Sequence, residues 1–370
     1  MHSSEILIDK GAIANMGNAS KAKLYFAAAN GASGFRSYFD EIFPSESYTA
    51  IFILKGGPGT GKSTLLKKLS RRFERADIEQ EIFLCSSDPK SLDGLTLTKG
   101  ERRVAILDGT APHERDARIP GAADILINLG EGFELSRLRA QREKILTLQK
   151  KKSIFYKDAC FYLGLFGIFK SKIMAETKKR LKRDAVLQWI KEASFSENAN
   201  NLHTFSPRLL ASFSREGIKR LDTYETCAER NFFINGEREE GEILLTAFFS
   251  ELNKRDISGY FSPSPFFSEV VDGLYLKNDS LSISTAPCTG ATEVCTEDFF
   301  EKPSNNAMKK CAEYQAEAHR YLSLAKDALS HASENHFALE EIYTPAMRFE
   351  RIDTIVNALE KEIGELLSIR

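Results

Sequence analysis

The sequence has few of the features of secreted or membrane proteins. Its six cysteines are scattered and none forms a C-x-x-C pair, which argues against a zinc site or a disulfide framework. The longest apolar stretch, residues 161–169, has nine residues and contains two glycines, well short of the ~20 that a membrane-spanning helix needs. No basic region followed by an apolar run marks a secretory signal. We therefore expect a cytoplasmic protein.

A strong overall charge is also lacking. The chain has 51 Lys and Arg against 52 Asp and Glu, so its formal net charge of −1 implies no particular partner. A hydrophobic content of 42% and a charged content of 28% are ordinary for a soluble globular protein. Its 370 residues suffice for about two domains.

The clearest motif is a glycine-rich loop between a predicted strand and a predicted helix. The sequence GGPGTGKST, from Gly56 to Thr64, fits the P-loop pattern G-x-x-x-x-G-K-[ST]. Ala50–Leu54 is a short apolar, β-branched run typical of a buried strand, and Lys62–Phe73 carries apolar residues at helical spacing. Strand, loop and helix together form the context that a P-loop requires.

This motif predicts a site for ATP with Mg²⁺. Glycines allow backbone N–H groups to close around phosphate oxygens, and the helix directs its positive end at the same anion. We expect Lys62 to reach the β- and γ-phosphates and the Ser63 hydroxyl to bind Mg²⁺. The predicted nucleotide-binding residues are Gly56, Gly57, Pro58, Gly59, Thr60, Gly61, Lys62, Ser63 and Thr64.

Asp108 has the position of a Walker B acid. It ends the predicted strand Arg103–Leu107 and is followed by Gly109. We predict that it holds Mg²⁺ and acts with Lys62 in catalysis. The alternative is an aspartate that only opens an Asp-Gly turn.

The sequence does not identify a catalytic base. No glutamate follows Asp108, and the candidates are Asp93, Asp88 and Glu114. Some P-loop kinases place an acid where Asp93 stands, beyond the second predicted strand. We nevertheless interpret Asp93-Gly94 as a turn, because the second half of the chain keeps the pair without the phosphate motif.

A polar loop containing His113, Arg115, Asp116 and Arg118 follows Asp108. The carboxyl end of a strand in a parallel sheet faces the ligand crevice. An arginine of this loop would then contact phosphates as a finger. The alternative is a solvated surface loop, and the sequence leaves both open.

The predicted strands alternate with helices along the first half. Glu81–Cys85, Arg103–Leu107 and Asp124–Leu129 join Ala50–Leu54 as strands. This alternation predicts an α/β fold with a parallel sheet and crossover helices.

The second half repeats the first in degraded form, which indicates an internal duplication. Its anchors, in order, are Gly217-Ile218 for Gly34-Phe35, Asn231–Ile234 for Ala50–Ile53, Gly236 and Gly241 for Gly56 and Gly61, Asp272-Gly273 for Asp93-Gly94, and Thr285-Ala286-Pro287 for Thr110-Ala111-Pro112. The chemical groups are not repeated. Glu242 stands at the Lys62 position, Ile243 at the Ser63 position and Ile283 opposite Asp108. We therefore expect an inactive second half.

The segment from Arg137 to Lys191 concentrates positive charge. It has sixteen Lys and Arg against four Asp and Glu, an excess of +12, so the rest of the chain carries −13. We predict a basic helical hairpin inserted at about residues 133–193. It would be solvated, bind nucleic acid or lie on acidic lipid. An acidic protein partner, or the acidic remainder of the chain, would also neutralise it.

The predicted organisation is a duplicated, P-loop NTPase-like α/β fold with flanking helices. Residues 1–20 form a weakly ordered start, 21–197 an active domain with the basic insertion, and 198–370 a degenerate domain. Residues 198–201 form a linker between the two domains.

The chain resembles a group of uncharacterised bacterial tandem P-loop ATPases. The resemblance depends on Phe26–Asn30, Gly34-Phe35, the loop ILKGGPGTGKST, Asp93-Gly94, Leu107–His113, Pro120–Ala122 and Asn128–Gly130. It covers the first half well and the second half thinly. It implies ATP binding, usually in both halves, but Glu242 and Ile243 depart from that pattern in the second.

Motif and resemblance together predict a slow Mg²⁺-dependent ATPase with one active site. One alternative is a kinase that transfers phosphate to a small molecule or nucleotide. Another is a non-enzymatic, ATP-dependent switch that binds nucleic acid.

Overall fold

The computed structural model describes residues 6–7, 22–197 and 204–369. Of the predicted weakly ordered start, only the short strand β1 (Ile6–Leu7) belongs to these ranges. The predicted linker at residues 198–201 lies outside them. Within them, no helix is both long enough and apolar enough to cross a membrane.

The first half forms a six-stranded, mostly parallel sheet in the order β2-β6-β7-β8-β5-β9. Only β7 runs against the other strands. The elements are β2 (Lys23–Phe26), the hairpin β3 (Ala28–Gly31) and β4 (Gly34–Ser37), α1 (Phe39–Ile42), β5 (Ala50–Lys55), α2 (Lys62–Arg72), β6 (Glu79–Leu84), β7 (Leu92–Lys99), β8 (Arg102–Asp108), β9 (Asp124–Asn128) and α3 (Leu135–Ala140).

The second half repeats this topology in the order β10-β14-β15-β16-β13-β17, with only β15 reversed. The predicted duplication of an α/β fold is thereby confirmed. The elements are β10 (Thr204–Pro207), β11 (Ala211–Ser214), β12 (Gly217–Arg220), α6 (Thr223–Cys227), β13 (Arg230–Asn235), α7 (Arg238–Leu252), β14 (Ser258–Pro263), β15 (Val271–Leu276), β16 (Leu281–Ser284) and β17 (Thr292–Cys295).

The reversed strand corrects the prediction that Asp93-Gly94 forms a turn. Both residues lie inside β7. A Cβ on Gly94 would come within 3.2 Å of a Leu107 methyl group. In the second half, a Cβ on Gly273 would come within 3.0 Å of a Leu210 methyl group. The glycine of the pair therefore recurs because the strand is crowded at this point.

The basic segment is not a hairpin, so that prediction was wrong. One continuous helix, α4, spans Arg142–Lys178 and packs antiparallel against α8 (Asn305–Tyr343) of the second half. The Phe155 ring lies 5.0 Å from His331 and the Phe169 ring 5.8 Å from Tyr321. The two glycines of the apolar stretch remain helical, and Gly167 packs where a Cβ would clash with Ala32.

The helices that follow this pair are exchanged between the halves. Helix α5 (Arg183–Ala193) buries Val186 and Ile190 in the core of the second sheet. Helix α9 (Glu350–Leu366) buries Ile352, Val356, Leu359 and Ile363 in the core of the first sheet. The 197/198 boundary thus separates the repeats in sequence, while each packed unit contains a helix from the other repeat.

Reciprocal contacts relate the halves by a pseudo-twofold axis. Phe26 N–H donates to Leu209 O at 2.8 Å, and Leu209 N–H donates to Phe26 O at 3.2 Å. The bridges Leu181–Phe300 and Phe133–Met347 form a second equivalent pair. The two repeats therefore associate as the subunits of a symmetric dimer do.

Candidate functional site

The glycine loop, residues 56–61, connects the buried strand β5 to helix α2. Gly59 and Gly61 have φ values of 68° and 83°, which glycine adopts at no steric cost. Gly61 forms the N-cap of α2. A loop of this kind, leading into a helix N-terminus, directs backbone N–H groups toward an anion.

Lys62 and Asp108 lie side by side above this loop, as predicted. Lys62 Nζ donates to the carbonyls of Gly56 and Gly57 at 3.0 and 3.1 Å. The same nitrogen lies 3.7 Å from Asp108 Oδ2. The positions follow from the sheet, because β5 pairs with β8 in a register that sets Leu54 opposite Asp108.

The two carboxylate oxygens of Asp108 have different surroundings. Oδ1 accepts hydrogen bonds from Thr110 N–H at 2.9 Å and from Thr110 Oγ1 at 2.6 Å. Oδ2 faces Lys62. The threonine thereby fixes the carboxylate with one oxygen toward the loop.

The unpredicted strand β7 brings Asp93 to the same place. The Leu92 N–H at the start of β7 donates to Ser63 Oγ at 3.0 Å. The next residue, Asp93, is buried with its Oδ2 atom 3.3 Å from His113 Nε2. The fold therefore brings together Asp108 and Ser63, which the sequence predicted for this site, and the weaker candidate Asp93.

His113 links the two aspartates. Its Nδ1–H donates to the backbone carbonyl of Asp108 at 3.0 Å, and its ring stacks on Phe39 at 4.8 Å. Burial alone lowers the pKa of His113, but Asp93 and Asp108 outweigh burial and raise it to about 9. His113 is therefore an imidazolium at neutral pH, positioned as a partner of Asp93.

One ligand atom each from Asp93, Asp108 and His113 lies within 4.8 Å of the others. Mg²⁺ prefers oxygen ligands, so the two carboxylates and the nearby Ser63 hydroxyl fit this cation. The two carboxylates suit a hard divalent cation held by oxygen, and His113 lies against them as the hydrogen-bonding partner of Asp93.

The arginines of the polar loop pair with acids of the first half, and one of them is buried rather than solvated. Arg115 is 4% exposed, donates to Phe39 O at 3.2 Å and lies near the carboxylates of Asp40 and Asp124. Arg118 lies 2.6 Å from Asp40. Both arginines therefore hold the loop against the body of the first half, because two acids distant in sequence attract them.

The remaining candidates for the base are less favourably placed. Glu114 is exposed. Asp88 accepts a hydrogen bond from Ser91 Oγ at 3.0 Å and shapes the turn before β7. Of the three candidates, only Asp93 contacts His113, the side chain that is hydrogen-bonded to the Asp108 backbone.

Sequence reasoning missed the second half's contribution to this site. The end of α8 covers the glycine loop: a Cβ on Gly59 would lie 2.5 Å from Thr344 Oγ1 and 3.4 Å from Glu340 O. The ring of Tyr343 lies beside Gly57 and that of Phe349 beside Gly61. These contacts join residues nearly three hundred positions apart, so no local pattern signals them.

The second half lacks the loop as well as its chemical groups. Six residues connect β5 to α2, but only two connect β13 to α7. Gly241 therefore lies within the helix, and Glu242, 2% exposed, pairs with Lys170 at 3.2 Å and Arg238 at 3.0 Å. An extra helical turn takes the place of the glycine loop of the first half.

The predicted equivalence of Ile283 and Asp108 was wrong by two positions. Ile283 pairs with Leu274 as Ile106 pairs with Leu95. The residue matching Asp108 is then Thr285. A gap of two residues between this strand and the Thr-Ala-Pro match misled the sequence alignment, and the corrected position also lacks a carboxylate.

Comparisons with known proteins give no relative. A scan of the chain against protein-family models found no match. Searches of curated proteins and of solved structures found none either.

Proposed function

We propose that the chain binds ATP with Mg²⁺ at the glycine loop and hydrolyses it slowly, at one site per chain. The observation that carries the proposal is the convergence of Lys62, Ser63 and Asp108 at the carboxyl ends of adjacent strands, where such folds bind ligands. The second half lacks all three groups and the loop between them.

In this proposal each residue has a distinct task. The loop amides and the α2 N-terminus bind the phosphates, while Lys62 moves from its loop carbonyls to the β- and γ-phosphate oxygens. Ser63 and Asp108 would hold Mg²⁺, which neutralises charge on the transferred phosphate. Asp93, which is paired with His113 and lies beside Asp108, would accept a hydrogen bond from the attacking water.

Slow turnover follows from what surrounds Asp108. Gly109 and Thr110 follow it, without the glutamate that activates water in many fast ATPases. Asp93 is already paired with His113, which leaves its carboxylate less free to activate a water molecule.

Calorimetry with ATP or a non-hydrolysable analogue and Mg²⁺ tests this proposal. We expect one site in the wild-type protein and at least ~100-fold weaker binding in Lys62→Ala, a loss of ~2.7 kcal/mol. Lys68→Gln is the matched control, because this exposed lysine lies in the same helix and pairs only at the surface with Asp353. Two equivalent sites, or full binding by Lys62→Ala, would contradict the proposal.

A further inference from the structure

A hydrogen-bonded chain of side chains reaches the glycine loop from the long helix pair. Lys152 Nζ on α4 donates to His336 Nδ1 on α8 at 3.0 Å. One turn further along α8, Glu340 Oε1 lies 3.5 Å from His336 Nε2. The last turn of α8 rests on Gly59. A carboxylate from the second half thus stands at the edge of the proposed phosphate site.

The surroundings of Glu340 are those of an anion in this site. The hydrogen bond from His336 lowers the pKa of Glu340 most, whereas burial raises it. The Lys62 cation and a hydrogen bond from Gly59 N–H lower this pKa further. Burial lowers the pKa of Lys152. The charge of Glu340 raises this pKa, and the charge of Lys62 lowers it. Glu340 therefore shares a loop amide and a lysine with the phosphates that we expect there.

The pseudo-twofold axis supplies an independent comparison. Leu181 and Met347 are equivalent, since each forms the reciprocal bridge described above. Eleven residues before each of them stand Lys170 and His336. Lys170 pairs at 2.7 Å with Glu239 and at 3.2 Å with Glu242, both in the first two turns of α7. In both halves, therefore, the long helix of one repeat presents polar groups to the start of the other repeat's loop helix.

The charges of this contact are reversed between the halves. In the second half the long helix provides the cation and the loop helix the anion, both buried. In the first half the loop helix provides the cation Lys62, and the long helix provides the anion Glu340, whose pKa that cation lowers. A triphosphate is an anion and competes for the cation and the loop amide. It can therefore replace Glu340, but it cannot replace the cation Lys170.

We propose that Glu340 is a built-in competitor for the terminal phosphates of the nucleotide, so that the second half regulates the site of the first. This inference rests on the proposed function. ATP must displace Glu340 and with it the end of α8. Because Glu134 N–H donates to Ala346 O at 2.8 Å and Arg348 N–H to Gly132 O at 3.0 Å, the displacement would be transmitted to the strap that joins α8 to α9, residues 344–349.

Binding of ATP with Mg²⁺ to Glu340→Gln and Glu340→Ala tests the inference. We expect binding about tenfold tighter than wild type in Glu340→Ala, which removes about 1.4 kcal/mol of competition. Glu340→Gln should fall between, because its amide oxygen still accepts from Gly59 but lacks charge. Glu341→Gln is the matched control, since the neighbouring Glu341 is exposed, and its affinity should equal that of wild type.

Hydrogen exchange of the full-length protein provides a second readout. Peptides covering residues 336–349 should exchange faster when ATP with Mg²⁺ is added to the wild type, and ATP should change them little in Glu340→Ala. Unchanged or weaker binding in both Glu340 variants overturns the inference. Normal affinity with lost turnover also overturns it, in favour of a catalytic role for Glu340.

The failure of the proposed function gives a different result. No binding by wild type, by Lys62→Ala and by both Glu340 variants would reject nucleotide binding and the inference together. Binding by Glu340→Ala alone would support both, because the competitor would then fully block the wild-type site.

Discussion

The two halves of this protein have the same sheet order and differ at the loop after the central strand. In the first half six residues separate β5 from α2, whereas in the second an additional helical turn fills that space. The first half places Lys62 beside Asp108 at the glycine loop. The second buries Glu242 between Lys170 and Arg238. The comparison shows that the same place after the central strand holds a glycine loop in one copy and a buried ion-pair cluster in the other.

The largest expected effect concerns the exchanged helices. Ile190→Ala should destabilise the protein by about 4 kcal/mol, because it leaves a cavity in a fully buried site. Although Ile190 belongs to the first repeat, hydrogen exchange should rise first in β13 and α7 of the second. Leu187→Ala in the same helix is the control, since Leu187 is 48% exposed. Faster hydrogen exchange confined to β5 and α2 would contradict the packing of α5 against the second sheet.

Glu242→Ala should destabilise the protein by about 3 kcal/mol, because Lys170 then loses a buried partner. Denaturant unfolding measures the loss, and ATP binding should persist. Burial raises the pKa of Glu242, but Lys170 and Arg238 outweigh it and lower the pKa below 4.5. The ionised carboxylate thus stabilises the fold above pH 4.5, and this contribution is lost as the pH falls through the lowered pKa.

The wild type should accordingly approach Glu242→Ala in stability as the solution is acidified. Glu251→Ala is the control, since its pair with Lys254 is at the surface and contributes at most ~1 kcal/mol. A Glu242→Ala variant as stable as wild type at pH 7 would show that the second half does not depend on this ion pair.

Asp108→Asn should reduce Mg²⁺-dependent ATP turnover about 100-fold, equivalent to ~2.7 kcal/mol. Nucleotide binding without Mg²⁺ should change by less than about threefold, because the loop amides and Lys62 remain. Phosphate release and calorimetry measure the two effects. Asp88→Asn should leave both unchanged, and equal losses in both assays for Asp108→Asn would indicate damage to the fold.

The smallest expected effect concerns the basic segment as a nucleic-acid surface, which stays a prediction. Lys170 and Arg180 are already neutralised by Glu239, Glu242 and Glu240 of the second half. The exposed lysines Lys150, Lys151 and Lys157 remain for a partner.

Replacing Lys150, Lys151 and Lys157 together by Gln should weaken DNA or RNA binding several-fold. The slope of the logarithm of affinity against the logarithm of salt concentration should fall by the equivalent of about three phosphate contacts. ATP affinity should be unchanged. Fluorescence anisotropy at low salt measures the binding. Absence of binding by the wild type would leave the acidic body of the protein as the partner of this charge.

The sequence predicted the parts of the fold that depend on neighbouring residues. Ala50–Leu54 forms a buried strand because apolar, β-branched residues follow one another, and Lys62–Arg72 forms a helix with Leu65, Leu66 and Leu69 on its inner face. Strand β7 was missed because Asp93-Gly94 has the composition of a turn. Its packing between Phe83 and Leu107 overrides that local preference.

By itself the sequence determined the glycine loop, the pairing of Lys62 with an acid at the end of a neighbouring strand, and the duplication. Each of these depends on short-range spacing or on repetition along the chain. Tertiary structure alone decided that α4 pairs with α8, that α5 and α9 exchange cores, and that Glu340 reaches the loop of the other half. These outcomes depend on which apolar faces meet across the pseudo-twofold axis. The spacing of residues along the chain does not indicate which faces pack together.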